Sequence, residues 1–92
     1  MPRNIKSGLI QMSLAISEGE GTIDEIKDAM VQKHIPLIEE AGEKGVQILC
    51  LQEVFNTPYF CPGQDNAWYA SAETCPGPTT ELMQEYAKKY NM

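Results

Sequence analysis

Basic residues are scarce in this chain: seven lysines and arginines stand against thirteen aspartates and glutamates, for a net charge of −6 over 92 residues. A phosphate backbone demands a cationic face, so nucleic acid is excluded as an expected partner. Long apolar runs are missing too, and Met1-Pro2-Arg3-Asn4-Ile5 lacks the apolar core of a signal peptide. No membrane association and a cytoplasmic location are therefore expected. Cysteine is sparse and odd in number, with Cys50, Cys61 and Cys75 widely spaced. That excludes the paired framework of a secreted disulfide domain and leaves reduced thiols. There is no Cys-x-x-Cys, no His-x-x-x-His and no acidic calcium loop, and His34 is the one histidine. Gly19 and Gly21 precede a helix without the further glycines of a nucleotide-binding loop. Neither a metal nor a cofactor is expected.

What is present is ordinary for a folded chain, 42% hydrophobic and 22% charged, and its length allows one domain with one small core. Residues Lys6 to Leu14 place Ile10, Met12 and Leu14 in alternation with Gln11 and Ser13, which predicts a strand. After a polar, glycine-punctuated stretch, Thr22 stands at an N-cap position with Asp24 and Glu25 in the following turn, predicting a helix from Ile23. Its apolar positions are Ile23, Ile26, Met30, Leu37, Ile38 and Ala41, and Glu40 and Lys44 are ordered as an i, i+4 pair. Pro36 predicts a kink or restart, and Gly45 is the candidate for the left-handed residue after the helix. The run Val46 to Glu53 is almost continuously apolar and reads as a strand buried on both faces. Strand, helix, strand is a βαβ unit with parallel strands, so the fold class is α/β.

Beyond Glu53, the stretch Val54 to Gly63 carries too much proline for a strand core and reads as an ordered loop. A short helical turn within Asp65 to Glu73, a stop at Cys75-Pro76-Gly77-Pro78, and a helix from Thr80 to about Tyr90 capped by Thr79 complete the pattern. That helix should bury Leu82, Tyr86, Ala87 and Tyr90 and end on Lys88 and Lys89. The two Cys-Pro-Gly triplets, at 61–63 and 75–77, read as turns. A two-stranded parallel sheet with two helices is an unfinished architecture. The expectation is an N-terminal portion of a longer protein, with an apolar surface awaiting partners and poor solution behaviour in isolation.

Glu53 is the residue best placed for chemistry, because ligand and catalytic groups in open α/β sheets gather at the carboxyl ends of strands. In a pocket walled by Phe55, Tyr59 and Phe60 its carboxylate would be partly desolvated and suited to act as a general base. The other reading is that Glu53 leaves the strand into solvent or caps the next turn. Cys50 and Cys61 have no neighbouring histidine in sequence, and Cys50 sits mid-strand, where a free cysteine behaves as a small hydrophobe. Cys75 reads as a turn residue, His34 as a surface or packing residue, and the acids between Glu18 and Glu43 as a solvated helix face.

The segment Leu51-Gln52-Glu53-Val54-Phe55-Asn56-Thr57-Pro58-Tyr59-Phe60-Cys61 resembles the region around the catalytic glutamate of the nitrilase superfamily, the carbon–nitrogen hydrolases. Residues Ile5 to Ser13 resemble that family's first strand, Pro36 to Gly45 the end of its first helix, and Gly77-Pro78-Thr79-Thr80 the start of its second. The aromatic stretch Phe55 to Cys61 with Trp68-Tyr69 is most similar to the β-ureidopropionase and N-carbamoyl amidohydrolase branch. The resemblance implies that residues 1–92 are the N-terminal portion of a single α-β-β-α sandwich domain. It implies a Glu-Lys-Cys mechanism in which only Glu53 maps onto this chain, as general base, with the lysine and nucleophilic cysteine beyond Met92. Glu53 would take the thiol proton, the thiolate would attack an amide or carbamoyl carbon, and the lysine would stabilise the developing charge. The implied partners are a small-molecule amide or N-carbamoyl substrate, such as N-carbamoyl-β-alanine, and further copies in a homo-oligomer. Within the family a nitrile or another amide is the alternative substrate. Outside it, the alternative is a non-catalytic α/β interaction module or an inactive truncated product.

Overall fold

The structure is a computed structural model that describes residues 3–17, 19–60, 63 and 66–92. The readings made for Cys61 and for the beginning of the helical turn at Asp65 lie outside the described residues. Strand β1 spans Ser7–Ile10, helix α1 Ile23–Glu43, strand β2 Ile48–Leu51 and helix α2 Pro78–Tyr90, with a 3-10 helix over Asn66–Ser71 between the last two. The strands are parallel, with Ser7 opposite Ile48 and Ile10 opposite Leu51, and α1 connects them. The α/β class and the βαβ unit are as the sequence predicts.

Both strands are shorter than predicted, and two glutamines account for their ends. The Lys6 amide donates to Gln47 Oε1 at 3.0 Å, and the Met12 amide donates to Gln52 Oε1 at 2.7 Å. Side-chain acceptors thus take the Lys6 and Met12 amides on either side of the four paired residues, while the Lys6 carbonyl still accepts from the Gln47 amide at 2.7 Å. Leu14, expected at the end of the first strand, is exposed in the connection to α1.

Helix α1 begins as its sequence dictates. The Glu25 amide donates to Thr22 Oγ1 at 3.1 Å and the Thr22 amide to Glu25 Oε1 at 3.4 Å, a complete capping box. At the other end Gly45 adopts φ 76°, the Gly45 amide donates to Gly42 O and the Val46 amide to Ala41 O, each at 3.1 Å. This is a Schellman closure, and it requires the left-handed residue that glycine supplies without a Cβ penalty. The cation expected near this terminus comes from outside the helix, since Lys6 Nζ donates to Lys44 O. The predicted kink or restart at Pro36 is not a break: the helix runs unbroken through it. Proline leaves the carbonyl of Gln32, an exposed residue, open to water, while Met30, His34 and Ile38 on the opposite face are buried and hold the two halves in one rod.

The buried face of α1 is Ile26, Met30, His34 and Ile38, a spacing of four throughout. Ile26 and Met30 meet Trp68, with Met12, Ile16, Ile23 and Phe60 packed around them. Leu37, expected on this face, is instead 39% exposed, and fully buried His34 takes the core position. The sheet turns Gly8, Ile10, Leu49 and Leu51 inward, whereas Ser7, Leu9, Ile48 and Cys50 are exposed. Leu9 is 83% and Ile48 61% exposed, so the expectation of a second strand buried on both faces is corrected. The described elements supply a helical layer to one face only. Cys50 belongs to the open face and is not a packed hydrophobe.

Helix α2 starts at Pro78 with Gly77 as N-cap, two residues before the predicted start, so Thr79 is a first-turn residue and not the cap. Proline at the first helical position has no amide to leave unsatisfied and a φ already suited to the helix. Lys88 and Lys89 fill the last turn as predicted. Leu82, Tyr86, Ala87 and Tyr90 are each half-buried, and the Tyr90 ring lies directly over Gly42 of α1, where a Cβ would come within 2.2 Å of Tyr90 Cγ.

Candidate functional site

Glu53 stands two residues beyond the carboxyl end of β2, in a turn, and is exposed. Among the described residues its carboxylate has no hydrogen bond or ion pair, so its aim depends on the backbone that carries it. That backbone is constrained on both sides. Gln52 is tied to Met12 as described. Val54 has φ 48°, in the left-handed region that β-branched residues avoid, and the Thr57 amide reaches Val54 O at 3.4 Å. Phe55 packs edge-to-face on His34 of α1, centroids 5.3 Å apart and planes at 75°. Thr57 and Pro58 are buried.

His34 is fully buried, and its Nδ1–H donates to Met30 O at 2.7 Å. Its Nε2 is buried without a partner among the described residues. Of the surface and packing roles expected for His34, the structure shows packing, beneath the turn that carries Glu53. A histidine four residues from Met30 and four from Ile38 was the available signal.

The three aromatic residues expected to wall a pocket around Glu53 have separate surroundings. Phe55 is on His34, Phe60 is stacked on Trp68 at 5.8 Å, and Tyr59 is 69% exposed. Glu53 is therefore not enclosed by them in this chain, and Phe55 and Phe60 spend their faces on the core.

A second polar group, absent from the sequence reading, ties the elements beside the site. Lys27 Nζ donates to Glu73 Oε2 and to Ser71 O, both at 2.7 Å. The Thr79 amide donates to Glu73 Oε1 at 2.8 Å and Thr79 Oγ1 to Glu73 Oε2 at 2.6 Å, so Glu73 caps α2 from outside the helix. Asn56 Nδ2 meets Thr79 Oγ1 at 3.5 Å, from the turn that follows Glu53. The Lys27 ammonium, followed by the Thr79 hydroxyl and amide, pulls the Glu73 carboxyl from 4.5 down to about 2. The sequence hint was slight, an acid shortly before a helix start. Among the described residues no cluster of three histidine, cysteine or acidic side chains is arranged to hold a metal, and no helix is long and apolar enough to cross a membrane.

The geometry on this turn is an exposed carboxylate at the carboxyl end of a parallel strand, and the comparisons with known proteins give the family of the chain. The carbon–nitrogen hydrolase family profile matches residues 9–92, and the chain belongs to that family. Over 91 residues it is 40% identical to a β-ureidopropionase of Arabidopsis thaliana, covering 99% of this chain and 22% of that protein. It is 37% identical over 67 residues to an omega-amidase of Xenopus laevis, covering 73% of this chain and 23% of the relative. An N-carbamoylputrescine amidase of Solanum lycopersicum is 39% identical over 54 residues, covering 58% of this chain and 18% of the relative. The chain thus spans about a fifth of the length of these relatives. No solved structure gives a significant match.

Proposed function

We propose that residues 1–92 are the N-terminal portion of a single carbon–nitrogen hydrolase domain in which Glu53 is the general base. The observation that carries this reading is the position of Glu53, solvent-accessible just past the carboxyl end of β2. A base there can reach a nucleophile and a substrate brought by the rest of the domain. Glu53 takes the proton of a cysteine thiol, the thiolate attacks the carbonyl carbon, and a lysine stabilises the developing oxyanion. The proton passes to the leaving amine, and water then releases the acyl or carbamoyl group. Neither Cys50, on the open sheet face, nor Cys75, in the turn before α2, is assigned the nucleophile's role. The nucleophile and the lysine lie outside the chain, in keeping with its 22% coverage of the Arabidopsis relative.

The substrate is an N-carbamoyl amine of the N-carbamoyl-β-alanine type. Its support is the near-complete coverage of the chain by a β-ureidopropionase. Tyr59, alone of the three aromatic candidates in being exposed, is the residue available to contact it; Phe55 and Phe60 shape the site from behind. The open face of Leu9, Ile48 and Cys50 is where the second sheet of an α-β-β-α sandwich packs. The complete hydrolase works in the cytoplasm as a homo-oligomer.

The test is Glu53→Gln in the complete hydrolase, with ammonia release from N-carbamoyl-β-alanine as readout. Glutamine preserves size and cannot accept the proton, so turnover should fall by ~10²–10⁴-fold or more with the fold intact. A folded Glu53→Gln enzyme that keeps most of its turnover overturns the assignment. The purified 92-residue chain alone should release no ammonia, having a base and nothing to activate.

A further inference from the structure

Among the described residues the Glu53 carboxylate has no hydrogen bond or ion pair, yet a general base must be held to within a fraction of an ångström of its proton donor. Its aim is therefore set through its neighbours; Asn56 reaches Thr79 of α2 at a long 3.5 Å, and the nearer residue, Phe55, is seated on His34 of α1. We propose that His34 is a positioning residue for Glu53, acting through the edge-to-face contact of its ring with Phe55. The inference rests on the assignment of Glu53 as base.

Three observations support it. First, His34 is fully buried on the longest helix and its ring is locked by the 2.7 Å bond from Nδ1–H to Met30 O, so it is a fixed platform. Second, Phe55 lies two residues from Glu53, and the residue between, Val54, holds φ 48°. A β-branched residue stays in that region only where its surroundings impose it, and Phe55 seated on His34 is the adjacent anchor. Third, Nε2 is buried and unpaired among the described residues, so the ring's polar contact among them is the Nδ1 bond within its own helix, and what it presents to Phe55 is its aromatic edge or face. What the site uses is a flat ring of this size and orientation.

The last point makes the test specific. In the complete hydrolase, His34→Leu fills the site with an aliphatic side chain and removes the ring, whereas His34→Phe keeps an aromatic ring and removes both nitrogens, the unpaired Nε2 and the Nδ1 bonded to Met30 O. His34→Leu should lower kcat by about tenfold or more with KM nearly unchanged, since misplacing a base weakens the chemical step and not ground-state binding. The acid limb of kcat/KM against pH, which reports the free enzyme's base, should move as well. His34→Phe should restore most of the lost kcat. Phe55→Leu should reproduce the His34→Leu phenotype, and the double variant should be no worse than either single one, because both break one contact.

Full turnover in folded His34→Leu, or no recovery in His34→Phe, overturns the proposal. If His34→Leu does not fold, Phe55→Leu decides: a raised KM with kcat preserved makes Phe55 a substrate contact and overturns the positioning role. Should Glu53→Gln itself remain active, the assignment of the base fails, and that result is separate from any of these.

Discussion

Lys27 Nζ and Glu73 Oε2 lie 2.7 Å apart, and through this pair α1 is fastened to the N-terminus of α2. The carboxylate has a folded pKa of about 2 against an ordinary 4.5, so its contribution to stability is complete above about pH 4.5 and is lost as pH falls toward 2. Glu73→Gln should cost about 1 kcal/mol near neutral pH, the scale of a lost cap with a partly exposed ion pair. Urea denaturation of the two proteins as a function of pH should give curves that converge near pH 2. A constant difference across that window would show that the charge is not responsible.

Gly42→Ala should destabilise despite alanine's helical advantage. The propensity gain is roughly 1 kcal/mol, but the added Cβ would meet the Tyr90 ring at 2.2 to 2.6 Å, and overpacking costs ~1–3 kcal/mol. Placed on a Tyr90→Ala background, the same substitution should become neutral or stabilising, measured by thermal denaturation of the complete hydrolase.

Thr22→Ala should cost ~1 kcal/mol by removing the acceptor of the Glu25 amide. Thr22→Asp, which restores the acceptor, should recover most of it. Equal loss in both variants would mean that the cap contributes nothing beyond residue shape.

Cys50→Ala should change stability by less than about 0.5 kcal/mol if its face stays open, as is usual for exposed positions. If a second sheet covers that face in the complete hydrolase, the cost should rise toward the ~1 kcal/mol or more expected for lost packing atoms. In neither case should turnover fall. A folded, inactive Cys50→Ala enzyme would make Cys50 part of the chemistry and overturn the roles proposed for this chain.

Val54→Asn should be neutral or stabilising. Asparagine tolerates φ 48° far better than a β-branched residue, which adopts it at a cost on the order of 1–2 kcal/mol. A marked drop in melting temperature would show that the valine methyl groups, 39% exposed as the residue is, pack more usefully than the strain costs.

Local chemistry made much of this protein legible from residues alone. The capping box at Thr22 and Glu25 and the left-handed closure at Gly45 each depend on residues close in sequence, and the order strand, helix, strand was legible from the local patterns of its three segments. The energetics of the two helix ends are decided within about one turn of chain. What depended on residues far apart was not legible. Periodicity marked Leu37 as core, and although His34 shares the spacing of Met30 and Ile38, the choice between the two was made by how α1 seats on the elements around it. An apolar run cannot say how many layers cover it, so Ile48 and Cys50 read as buried and are open. The three aromatic residues near Glu53 looked like one wall because sequence proximity says nothing of which ring the core will claim. Glu73 was invisible for the same reason: its partners, Lys27 and Thr79, come from two helices, and nothing before the chain folds brings a cation and a free amide to one carboxylate.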